Sequence, residues 1–190
     1  MLYQPILVIH VVAAALLIGG GLLLAASGFG LLALERAREL LPWARLAMAS
    51  SPLTVGAGFL LFASGGHLAG SQWSFSEGWI TVSAGVLAVL GIATIVLYVR
   101  LGRLVEEIRV LGEGTVTGEL RERLASPVLW AIAHALVFTG PAFIAVMVLK
   151  TAFAETALWL GGGAALGVVT GVLFARRGTR VGLAAGEQAR

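Results

Sequence analysis

The sequence has no cysteine, no aspartate and a single lysine. Without cysteine there is no disulfide and no thiolate metal site. Charged residues make up 12% of the chain, against about 25% in a soluble domain. All the carboxylates are glutamates, and none lies within the long apolar runs. An ion-coupled carrier usually needs one there, so that class is disfavoured. There is no phosphate-binding glycine loop, no nucleophile elbow, no HExxH zinc motif, no low-complexity tract and no charged tail.

What remains is mostly hydrocarbon. The chain is 58% hydrophobic with a mean hydropathy of +0.95, which marks an integral membrane protein. Residues Tyr3–Ala26 read YQPILVIHVVAAALLIGGGLLLAA, with His10 the one residue in the run that titrates near neutral pH. At 1.5 Å per residue the run is long enough for a bilayer core of about 30 Å. Met1–Pro5 carry no Lys or Arg. The apolar run is also longer than a signal-peptide core, so it reads as a retained span.

The reading is one all-α transmembrane domain over 1–190: a polytopic membrane protein with five transmembrane helices. They are expected at about 2–32, 51–65, 78–101, 127–150 and 156–175, a four-helix bundle plus one packing helix. Ser51-Pro52 and Ser126-Pro127 supply an N-cap followed by proline at the first helical position. Glu35–Ala49 reads as a charged, partly amphipathic connector with Trp43 at the interface, 66–77 as a polar loop, and 103–124 as a surface loop that its glycines break into two short amphipathic pieces. Gly140-Pro141 should kink the fourth helix. Gly163, Gly167 and Gly171 form a small-residue seam at i, i+4, i+8, through which copies of the chain could associate.

Twelve arginines follow spans one, three and five; Lys150 alone falls at the other side. The positive-inside rule then puts the N-terminus outside and the C-terminus in the cytoplasm, with the bundle in the inner membrane. The pI near 10.2 is thereby a topology signal, and no nucleic-acid partner is needed to explain it.

An imidazole sunk in hydrocarbon needs a partner, a ligand or a metal. His10 shares its helical face with Ile6, Leu7, Ala14, Leu17 and Gly21. His134 has Trp130 and Phe138 one turn either side, which suits either the walls of a flat pocket or ordinary packing. Counted from opposite membrane faces, the two histidines come within one or two turns of the same depth, and two imidazoles on facing helices can ligate one haem iron. His67, after Gly65-Gly66, reads as a solvated loop residue, an outward-facing metal site or a lid over the haem pocket. Lys150 either snorkels to the interface or meets an anionic group such as a haem propionate; Glu77 and Glu155 lie near it. Met48 and Met147 fall near opposite faces, which argues against a thioether copper site shared by the two.

The stretches LVIHVVAAALLIGGG in span one and GAGFLLF in span two carry a resemblance. So do Gly78-Trp79 at the start of helix three and VMVLK at the end of helix four. Over about residues 1–151 the chain resembles small bacterial membrane proteins of the copper resistance protein D-like group, itself similar to the bacterial haem-dependent protoporphyrinogen oxidase family. The resemblance implies haem at His10. That family has a lysine one turn after the helix-three tryptophan; here the position is Ser83, and His134 is the available second ligand.

The expectation is a b-type haem between helices one and four, ligated by His10 and His134. Trp130, Phe138, Ala14 and Lys150 line it, and the role is electron transfer or a haem-linked oxidoreductase step. The alternatives are a copper or small-solute transport or assembly protein without haem, using His10 and His67, or a packing subunit of a larger complex.

Overall fold

The computed structural model describes the backbone from Leu2 to Gln188 and side chains as far as Gly178. The elements are α1 (Tyr3–Ala33), α2 (Ala37–Ala49), a π-helical turn (Pro52–Gly56), α3 (Ala57–Gln72), α4 (Gly78–Leu111), α5 (Gly118–Leu124), α6 (Pro127–Leu149) and α7 (Phe153–Gln188). Among the described residues the one extended feature is an isolated bridge between Arg36 and Thr115. Five stretches are long and apolar enough to cross a membrane: α1, Ala37–Gln72, α4, Gly118–Leu149 and Phe153–Gly178. The chain is an all-α polytopic membrane protein.

α1 and α6 match their expected spans to within a residue, whereas the second, third and fifth spans are longer than the sequence suggests. The connector over 35–49 is helical, because Ala37, Leu40, Ala44 and Ala47 recur at helical spacing and are all fully buried. Its charged residues point away from that stripe. Pro52 does not begin the second span; it opens the π-helical turn inside a stretch that is helical on both sides. The polar loop at 66–77 shrinks to Trp73–Glu77, which puts His67 on α3. α4 continues past Leu101 because Leu104 and Ile108 still find apolar partners. Within the expected surface loop, Thr117 caps α5 by accepting the Leu120 amide.

Where glycines let backbones approach, they set the vertical register. On α1, Gly21 faces Leu136 and Val137 of α6, Ile18 lies against Gly140, and Gly28 lies against Trp130. The two helices are antiparallel, with residue sums near 158. On its other side α1 meets the π-helical turn, where a methyl group on Gly20 would come 2.7 Å from Thr54.

The α7 glycine seam is occupied within the chain. Gly163 faces the Phe138 carbonyl, Gly167 the backbone of Ala135, and Gly171 the Trp130 carbonyl. Within the chain, α6 fills the surface that Gly163, Gly167 and Gly171 were expected to offer to other copies. The physical cue was sound, since glycines at this spacing do mark close approach, but the partner is the preceding helix.

At the arginine-bearing end, Leu40, Leu104, Ile108, Leu120 and Leu124 make a small core under α5. Arg123 pairs with Glu107 at 2.8 Å, and Arg121 donates to the Leu32 and Leu34 carbonyls, satisfying acceptors left open at the end of α1.

Candidate functional site

His10 lies on the stripe of α1 that meets α3. Its Nδ1 is 3.0 Å from Ser64 Oγ. The Ser64 hydroxyl donates to the Leu60 carbonyl at 2.5 Å, so its proton is committed. Nδ1–H of His10 is therefore the donor to Ser64 Oγ, and the ring also hydrogen-bonds the Leu61 backbone. A histidine whose ring is oriented by hydrogen bonds from its surroundings is the arrangement in which imidazole serves as a ligand. The ring also packs on Gly65, where a methyl group would come 3.1 Å from it.

Ser83 on α4 belongs to the same level. Leu87, one turn along, packs on the Ala13, Ala57 and Leu61 cluster, and His10 is one turn before Ala13. Ser83 is 4% exposed. Among the described residues its Oγ is the buried side-chain polar atom with no hydrogen-bond partner. An orphan hydroxyl in hydrocarbon is costly, which makes this level a polar weak point of the bundle.

His134 stands elsewhere. Its Nδ1–H donates to the Trp130 carbonyl at 2.9 Å, and its ring meets Phe174 of α7 with centroids 5.1 Å apart. The register that pairs Gly21 with Val137 and Gly28 with Trp130 puts His134 level with Leu24. Leu24 is fourteen residues past His10, or about 21 Å along the axis. Ligands to one metal atom lie within about 4 Å of each other. The joint ligation of one iron by His10 and His134 is therefore corrected. Depth counted from helix ends failed because α1 and α6 slide along each other until Gly28 meets Trp130. Carried two turns further, the same register brings Met147 within a residue of the level of His10.

The remaining candidates disperse. Trp130 is fully buried and donates its indole N–H to the Leu124 carbonyl at 2.7 Å. Phe138 lines an apolar groove of about 700 Å³ between α6 and α7, with Pro141, Trp159 and Glu155. Ala14 packs beside the Ala13 cluster. Lys150 ends α6 in a left-handed conformation. Its ammonium lies 4.1 Å from the Trp73 ring centroid, a cation–π contact. Trp79 meets Trp73 edge-on. Among the described residues no ion pair joins Lys150 to Glu77 or Glu155. His67 is exposed on α3, and no group of three or more His, Cys, Asp or Glu gathers among the described residues.

Sequence reasoning missed a hydroxyl cluster at the π-helical turn. Ser50 Oγ is 2.7 Å from Tyr98 OH, Thr54 Oγ1 donates to Tyr98 OH at 2.8 Å, and all three residues are buried. The Ser-Pro pair at 51–52 was the visible signal, since a turn lacking one amide donor needs side-chain hydroxyls nearby.

The chain matches no protein-family model, no characterised protein and no solved structure.

Proposed function

We propose that this protein is a b-type haem-binding membrane protein with an electron-transfer or haem-linked redox role, and that His10 is the residue that holds the iron. The observation that supports this reading is the His10–Ser64 hydrogen bond, which orients a half-buried imidazole at the contact of α1 with α3. The resemblance of the first span to the haem-dependent oxidase family points to the same residue. A bound haem would supply one-electron chemistry, its potential tuned by ligand and burial. The chain's part is to orient the imidazole through Ser64 and to keep the level dry. His134 has no part in this reading, and Lys150 is engaged by Trp73. The arginine distribution supports an inner-membrane bundle with its N-terminus outside.

The absorption spectrum of protein purified from haem-replete cells tests the reading. A Soret band lost in His10→Ala and kept in His134→Ala is the expected result; no Soret band, or one indifferent to His10, sinks it.

A second reading is copper transport or assembly without haem. It is favoured by Met147 sharing the level of His10, because imidazole and thioether are donors that Cu(I) accepts. Copper retained by the haem-free protein and lost in Met147→Leu would select it.

A further inference from the structure

We infer that the arginine-bearing end of the bundle carries a binding ring for anionic phospholipid headgroups. The arginines there fall into two layers. The outer layer is paired: Arg38 with Glu113 at 3.5 Å, Arg109 with Glu106 at 2.6 Å, and Arg123 with Glu107 at 2.8 Å. These pairs belong to the α4 extension, to α5 and to the connections beside it.

The inner layer is Arg45, Arg100, Arg103 and Arg177. Gly102 of α4 meets Met48 of α2, and Ser50 meets Tyr98, so Arg45 and Arg103 stand level on adjacent helices, with Arg100 one turn inward. Gly30 lies against Trp43, and Gly178 lies against Leu32, which brings Arg177 into the same band. The nearest glutamates on α4, Glu106 and Glu107, one turn beyond Arg103, are held by Arg109 and Arg123. Arg45, Arg100, Arg103 and Arg177 are all exposed. Among the described residues they make no ion pair.

The band coincides with a membrane boundary. Along α4, Trp79 and Arg100 are twenty-one residues apart, about 32 Å, close to the hydrocarbon thickness of about 30 Å. Trp43, 37% exposed, stands in the band as an interfacial aromatic would. Guanidinium groups outside the ion pairs, at headgroup height, match lipid phosphates in geometry and charge. Anionic lipid adds attraction of the whole surface potential to each one.

The full chain in mild detergent, mixed with equal amounts of phosphatidylglycerol and phosphatidylcholine, is examined by native mass spectrometry. Severalfold preferential retention of phosphatidylglycerol is expected, falling as sodium chloride is raised. Arg45→Gln with Arg100→Gln and Arg103→Gln should bring the two lipids to parity, while Arg109→Gln with Arg123→Gln should leave the preference intact. Parity in the wild type, a triple variant that keeps its preference, or displacement of the lipid by millimolar inorganic phosphate would each overturn the inference. Should the triple variant not fold, the salt series on the wild type decides: a preference insensitive to salt overturns it as well.

Discussion

Gly28 of α1 lies flat against the indole of Trp130 on α6, with Phe174 of α7 closing the other side. This contact sets how far the two histidine-bearing helices slide along each other. A side chain at position 28 must displace one ring or the other. Gly28→Ala is expected to lower stability by about 1–3 kcal/mol, the usual cost of overpacking. Gly161→Ala, where the new methyl meets open space, should be neutral or slightly stabilising through helix propensity. Thermal unfolding in detergent compares the two, and equal effects would contradict the packing described.

The register itself can be measured, and the absence of cysteine makes paired spin labels simple to place. Val11, Val128 and Val148 are all well exposed. Labels at 11 and 148 should be near one level. Labels at 11 and 128 should be separated by about 28 Å along the axis. A register bringing His10 level with His134 would reverse that order, so the longer of the two distances decides.

Gly167→Leu distinguishes packing within the chain from association between copies. A leucine there meets the Ala135 backbone, which cannot move aside as a flexible side chain can. Loss of folded protein, or a Tm lowered by many degrees, is expected. A variant that folds normally and changes only its oligomeric state would return the seam to the surface.

Tyr98→Phe removes hydrogen bonds to both Ser50 and Thr54. A loss of about 0.5–1.5 kcal/mol is expected, since bonds between membrane helices are individually modest. Thr54→Val should cost a similar amount. The double variant should cost less than the two added together, because both act on one network. Strict additivity would mean that the hydroxyls work independently.

Much of the architecture was open to inspection in the chain alone, and the failures have identifiable causes. The segment at 35–49 looked like a connector because of its charges. Those charges occupy one side of a helix whose other side carries Ala37, Leu40, Ala44 and Ala47. His67 looked like a loop residue because glycines precede it, yet neither Gly65 nor Gly66 breaks α3. The glycine spacing of α7 marks a place of close approach, but it does not say that α6 is the helix that fills it within the chain. Ser64, the partner that gives His10 its orientation, is fifty-four residues away along the chain. No local pattern marks it.

The number of crossings follows from the sequence by itself, because the penalty for a charge in hydrocarbon is local and can be read one window at a time. The level of each side chain was decided only by tertiary structure. Helices of near-uniform hydrophobicity can slide past one another with little change in solvation. What stops them is a glycine meeting an indole or a backbone, a contact between residues far apart in the chain. For this protein such contacts separate His10 from His134 and bring His10 to Ser64.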